Sequence, residues 1–319
     1  MKTLPLTKFA DQTGIPFESK VDRTQGSSSK LSIRFLGTAG FIVESADRTI
    51  VLDPYVSRPG LWDHLVGPLR PNRDLILNII PRCDDVLIGH SHSDHLLDAP
   101  TLAIEYGARI IGTETTSAIA KAAARHAGNV EIETLVTQGG EDIACGTAIV
   151  RGVPSFHAPI APHLSIGKYL GDGVPFPGTI LEEEGETLEW PLRASQFKEG
   201  GVLDWLISIS GLRILHIDSA KFDRIELERL DVEKVDVLCL CAIGWQKGNP
   251  DYVPYLLERF QPRYIVPCHW DNFFDPYRSA TREARVWGIS RLDSFIEAIQ
   301  DHATKSELIL LQLDGVIKL

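Results

Sequence analysis

Three histidines and an aspartate fall within six residues of the stretch LIGHSHSDHLLDAP, as His90, His92, Asp94 and His95. The whole chain has ten histidines in 319 residues, so this crowding asks for a chemical reason. Imidazole and carboxylate together suit Zn²⁺, and also Mn²⁺ or Fe. His90 and His92 lie two apart, a spacing that on an extended strand end aims both rings at one ion. Asp94 and His95 come after the chain has turned and can face a second. A polar loop of no consequence would have the same composition, so more ligands are needed from elsewhere. His157 follows TAIVRGVPS, Asp218 ends LRILHID, and His269 follows RYIVP. Each stands at the C-terminal end of an apolar run, where sheet proteins collect functional groups.

Such positions require a sheet to hold them. LSIRFLG, GFIVES and TIVLDP read as strands joined by tight turns, and DVLIG as the buried strand that delivers the histidine cluster. Residues 55–82 read as an irregular excursion with one short helix. APTLAIEYG and TETTSAIAKAAARHAG read as helices, the second with Thr113 as N-cap and Gly128 as its stop. ARIIG, NVEIETL and TAIVRGVPS are expected strands. DWLISIS and LRILHID, parted by Gly211, read as a hairpin. KVDVLCLC is a further buried strand, and PDYVPYLLERF and SRLDSFIEAIQDH are helices. SELILLQLDGVIKL is expected to close as a terminal hairpin. Residues 1–30 read as a loosely packed polar arm ahead of a single domain over 31–319. Residues 158–201, rich in Pro, Gly and Glu, read as a lid or irregular insertion. No repeat of 20–50 residues is evident.

Composition narrows the function. The net charge of −11 argues against a nucleic-acid partner, and no dense Lys/Arg run offsets it. The five cysteines, Cys83, Cys145, Cys239, Cys241 and Cys268, are odd in number, scattered and without a C-x-x-C pair. That pattern suits reduced thiols in the cytoplasm. No secretory leader and no transmembrane run of about 18 apolar residues is expected.

The motif His90-Ser-His92-Ser-Asp94-His95, with His157, Asp218 and His269 following on strand ends, resembles the metallo-β-lactamase superfamily over nearly all of the chain after residue 30. The resemblance implies an α/β (α+β) fold, the four-layer αββα sandwich. It implies that His90, His92 and His157 hold one metal, that Asp94, His95 and His269 hold the other, and that Asp218 bridges them. The segment GTAGFIVESADRTIVLDPYVS further resembles the branch of L-ascorbate 6-phosphate lactonase and N-acylphosphatidylethanolamine-hydrolysing phospholipase D. In that light Asp53 would orient a ligand histidine. Many members carry Gly immediately before the bridging Asp; Ile217 stands there in this chain.

The implied reaction is hydrolysis. Two divalent cations, Zn or Mn with Fe as a further choice, would share a water, ionise it and polarise the oxygen that gains charge. Asp94 is also placed to accept a proton. The expected substrate is a small molecule: an ester, a lactone or a phosphodiester. His163 is a candidate substrate contact or proton-transfer group, with His64 and His216 behind it. Trp245 and Trp270 either line the pocket or fill the core. Cys268 reads as a small buried thiol, and Glu182–Glu186 as a solvated turn. Arg58, Lys168 and Lys221 are the basic residues that an anionic substrate would use. Three alternatives stand beside this reading: a diiron redox protein of the same fold, a nuclease, and a metal-binding module without turnover. Assembly into a homo-oligomer is left open.

Overall fold

The computed structural model describes residues 3–24, 31–159, 174–181, 188–277 and 283–319. Two mixed sheets face each other. The first has eight strands in the order Glu18–Asp22, Leu311–Lys318, Ser32–Gly37, Gly40–Glu44, Thr49–Leu52, Asp85–Leu87, Arg109–Gly112 and Thr134–Val136. The second has seven, in the order Glu307–Leu308, Tyr264–Cys268, Val237–Cys241, Leu212–Ile217, Val202–Ile209, Ala148–Ser155 and Asp142–Cys145. One continuous apolar core joins the inner faces, with Phe35, Phe41, Val86, Leu215 and Val266 among its buried members. Helices lie outside, giving the αββα sandwich. Ala99–Tyr106 and Glu114–His126 pack on the strand Arg109–Gly112.

The parallel parts of both sheets carry the runs that read as buried strands. Val237–Cys241 and Tyr264–Cys268 pair in parallel and are buried at every position. Strands covered on both faces need continuous apolar sequence rather than alternation. Val202–Ile209 and Leu212–Ile217 form the expected hairpin, with Gly211 at φ 79° in its turn. Thr113 caps the helix Glu114–His126 by accepting from the Thr116 N–H.

Three expectations about organisation need correction. The N-terminal stretch is not loose over residues 3–22. Thr3–Pro5 pairs with Arg285–Trp287, the helix Leu6–Thr13 buries Leu6 and Phe9, and Glu18–Asp22 forms the edge of the eight-stranded sheet. The C-terminal run does not fold on itself. Glu307–Leu308 joins the seven-stranded sheet, and Leu311–Lys318 crosses to the eight-stranded one. The short link at Ile309 and Leu310 stitches the two sheets together. The excursion 55–82 holds two short helices, Leu61–Val66 and Arg73–Ile79, rather than one. Among the described residues no helix is long and apolar enough to cross a membrane.

Candidate metal centre

The functional side chains collect where strands end. The strand Asp85–Leu87 stops before His90, so His90 and His92 do not sit on an extended strand as their spacing suggests. His92 instead holds an extended backbone at the start of the four-residue helix Ser93–Leu96, which carries Asp94 and His95. His157 follows Ala148–Ser155, Asp218 follows Leu212–Ile217, and His269 follows Tyr264–Cys268. Four stretches of chain, at 90–95, 157, 218 and 269, therefore deliver seven side chains to one place.

Their ligand atoms form overlapping groups in which all members lie within 4.8 Å of one another. One group is His90, His92 and His157; a second is Asp94, His95 and His269; a third is His90, His95 and Asp218. The rings of His90 and His92 stand 4.6 Å apart, and those of His92 and His157 stand 4.9 Å apart. His269 Nε2 lies 3.3 Å from the Asp94 carboxylate. Asp218 touches both sides: one oxygen is hydrogen-bonded to His90 Nδ1, the other lies 3.0 Å from His95 Nδ1.

Burial governs the charges. It holds the three-imidazole group neutral, aided by mutual repulsion. His92 sits well below the ordinary imidazole value, and His157 is brought down to about 3 by burial and by His90. Burial works against ionisation of Asp94 and Asp218, yet the histidines around each hold it well below the usual carboxylate range. Neutral imidazoles and ionised carboxylates are the forms that ligate cations; His95 is the exception, pushed well up by Asp218 and Asp94 against its burial, and it would shed its proton on binding metal. The donor set also leaves buried atoms without partners among the described residues. His92 Nε2, His95 Nε2 and His269 Nδ1 complete no hydrogen bond. Orphaned buried polar atoms are costly, and a metal ion satisfies them. The residues present therefore fit a cation-binding role.

A supporting layer fixes the loops, and most of it escapes a reading of the sequence. Asp53, at φ 40°, accepts from the Gly89 N–H through Oδ1, which also lies 3.6 Å from His95 Nδ1. Burial, with the neighbouring Asp218 charge, pushes the Asp53 carboxyl well up. A Cβ at position 89 would lie 2.2 Å from the Asp218 carboxyl carbon, so only a hydrogen fits there. Asp204 accepts from the Asp218 N–H at 2.9 Å. Asp98 accepts from the N–H groups of Val56 and Ser57 at 2.6 and 2.9 Å. On the other side His269 sits in the left-handed region, φ 53°, with its N–H donating to Thr38 O at 2.6 Å. Thr38 in turn donates to Asp271, whose second oxygen pairs with Arg58 at 2.6 Å in full burial. Arg58 is thus a structural cation and not a substrate contact. Polar residues at strand ends are the only sequence signal that could have marked Asp204 and Asp271.

Above the centre lies a cleft of about 240 Å³ lined by the ligand set and by apolar side chains, among them Leu61, Phe176, Phe273 and Trp287. His64 lines it too, with its Nε2 3.3 Å from Tyr55 Oη. His216 is in the core, 3.0 Å from Ala39 O through Nε2, and it also forms a close group with Asp53 and Asp218. Trp270 is fully buried and Trp245 packs on Phe295, so neither lines the cleft. Cys268 is a buried free thiol pushed well up by burial. His163, Lys168 and Glu182–Glu186 lie outside the described residues. A larger groove of about 610 Å³ lies at the opposite strand ends, against Ser208–Arg213 and Asp236, away from every histidine of the cluster.

Residues 32–269 match the family described as the β-lactamase superfamily domain. A UPF0173 metal-dependent hydrolase of Thermococcus kodakarensis is 28% identical over 245 residues, which cover 76% of this chain and 86% of that one. Igni18, a metallo hydrolase from Ignicoccus hospitalis KIN4/I, superposes with a TM-score of 0.55 at 14% identity, covering 91% of this chain and 98% of its own. CmlA, a diiron β-hydroxylase from Streptomyces venezuelae, gives 0.54 at 13% identity over 98% of this chain and 59% of its own. At such identities the two structures speak to the fold alone. The match over residues 32–269, carried by a mixed two-sheet sandwich with this cluster at its strand ends, makes the chain a member of the metallo-β-lactamase superfamily.

Proposed function

We propose that the protein is a metal-dependent hydrolase of small-molecule esters or lactones. His90, His92 and His157 hold one cation, Asp94, His95 and His269 hold a second, and Asp218 faces both. The observation that carries this reading is the convergence of seven side chains, with unpartnered ligand atoms, on the floor of one cleft. When bound, the pair of cations would supply a water ionised near neutrality and a Lewis acid for the substrate oxygen.

The chain's own residues do the rest. The apolar wall keeps bulk water from the reacting carbonyl. Asp94 is ionised and partly open to the cleft, so its carboxylate can take the proton shed as water adds and pass it to the leaving oxygen. In balance, water's oxygen bonds to the acyl carbon, the acyl–oxygen bond breaks, and the proton ends on the departing alcohol. Asp53 and Asp204 act through others, by fixing the backbone at Gly89 and Asp218. The imidazole-rich group suits zinc, and the carboxylate-bearing group tolerates manganese or iron. The likeness to CmlA concerns the fold and adds no observation in favour of a redox reaction. A cytoplasmic setting is supported by the five cysteines, all free and buried.

Elemental analysis of purified protein should give about two divalent ions per chain. Ester or lactone hydrolysis should accompany them and vanish in His92→Ala with the fold retained by circular dichroism. Full activity in that variant, or in metal-stripped protein, would overturn the reading.

A further inference from the structure

The wall of the cleft bears on what enters it. This inference rests on the hydrolase reading and goes on to the class of substrate. Apart from the ligand set, the lining is nearly all apolar: Leu61 and Leu65 on one side, Phe176 beside His92, and Phe273, Phe274 and Trp287 opposite. None of the described lining residues is Lys or Arg. A phosphate or sulfate ester would want such donors. Arg58 is consumed by Asp271, and Lys221 sits over the Phe156 ring at 5.2 Å.

The apolar surface continues out of the cleft. Leu61 and Leu65 are one helical turn apart, so both face the opening, and they are 41% and 51% exposed. Their neighbours Trp62 and Val66, also a turn apart, are 75% and 66% exposed. Four apolar side chains on a six-residue helix thus stand in water, with Leu61 and Leu65 at the mouth. The helix is held in place from several sides. Asp63 accepts from the Gly60 N–H at 2.8 Å, and the His64 ring bridges Gly60 O and Tyr55 Oη at 3.1 and 3.3 Å.

Phe176 adds an independent sign. Its backbone is in the left-handed region, φ 43°, which is unfavourable for a bulky residue by about 1–2 kcal/mol. The Glu199 N–H donates to its carbonyl at 3.1 Å and fixes it there. The result is an aromatic ring edge-on to His92, 6.4 Å between centroids. Strain of this kind gathers where a ligand must be positioned.

We infer that the substrate is a neutral ester or lactone bearing an apolar chain, with its carbonyl at the ligand cluster and its tail along Leu61, Leu65 and Phe176. Among its described residues the same wall offers no cation to the charged diester of a phosphate.

The test uses the metal-loaded protein and 4-nitrophenyl acetate, butyrate and hexanoate, with bis(4-nitrophenyl) phosphate as the anionic arm. kcat/KM should rise about threefold per added methylene, and the phosphodiester should fall at least about a hundredfold below hexanoate. Leu65→Arg, at an exposed site where the fold tolerates charge, should flatten the chain-length slope. Ile225→Arg, an exposed apolar site outside the cleft, should leave the slope as it is. In parallel, 2-nonanone and 2-pentanone are titrated calorimetrically as non-hydrolysable probes, and Kd should fall with chain length in the wild type but not in Leu65→Arg. A flat slope, a preferred phosphodiester, or an unchanged slope in Leu65→Arg would overturn the inference. If no ester turns over while ketone binding follows chain length, the hydrolase reading fails and the apolar specificity stands.

Discussion

The two flanks of the centre are pinned by different chemistry. On the flank of His90–His95 and Asp218, three buried carboxylates, Asp53, Asp98 and Asp204, hold loops by accepting backbone N–H groups. No Lys or Arg pairs with them in the observed ion pairs, and burial pushes all three carboxyls up. On the flank of His269, one carboxylate, Asp271, does the same work with Arg58 as a buried counter-charge. The first arrangement is sensitive to proton uptake. The second depends on both partners, because either one left alone is an uncompensated buried charge.

Changes graded by size can break that comparison. The largest effect belongs to the residue that both flanks serve. Asp218→Ala should lower kcat/KM by at least about a thousandfold and cut the metal content towards one ion or fewer, read by a hydrolysis assay and elemental analysis. Next, Arg58→Met strands Asp271 and should cost about 3–5 kcal/mol in urea unfolding. The double variant Arg58→Met with Asp271→Leu should recover a large part of that loss. If the single variant proves neutral, the ion pair does not pin this flank. Asp53→Asn should leave stability nearly unchanged yet weaken metal retention by about 10–100-fold in a chelator competition, since its Oδ1 fixes the Gly89 backbone beside the ligand set.

The smallest change tests the carboxylate flank by pH. Burial pushes Asp98 up to about 6, against the hydrogen bonds from Ser57 and Val56 that pull it down. Between its unfolded value and about 6, the folded chain binds a proton that the unfolded chain does not. Its contribution to stability therefore grows as pH falls through that window and is lost as pH rises through 6. Wild type should gain about 2 kcal/mol on Asp98→Asn between pH 6 and pH 4, compared by denaturant titration at each pH.

What the sequence discloses follows from how local its causes are. The buried parallel strands announce themselves as apolar runs, and the helix Glu114–His126 by its period and its Thr113 cap. Six residues contain most of one flank's ligands, so that cluster is visible without a fold. The N-terminal stretch misleads because its burial is sparse, Leu6, Phe9 and Val21, and its strands pair with residues 285–287 and 311–318. The C-terminal run has hairpin-like pattern, but two different sheets each offer it a better edge than it offers itself. Arg58, Asp204 and Asp271 are ordinary polar residues until the fold brings partners from 14 to 233 positions away. Phe176 and the apolar helix at the mouth show no motif, because an aperiodic wall has no spacing to recognise.

Gly89 turns the geometry of the centre into a question of a single atom. The carboxyl of Asp218 occupies the space where any other residue would carry its first side-chain carbon. The two sheets can approach at this point only as closely as that hydrogen permits. The spacing of the whole cluster is thus gauged by a side chain that does not exist, and even Gly89→Ala would act as a shim driven between the halves of the sandwich.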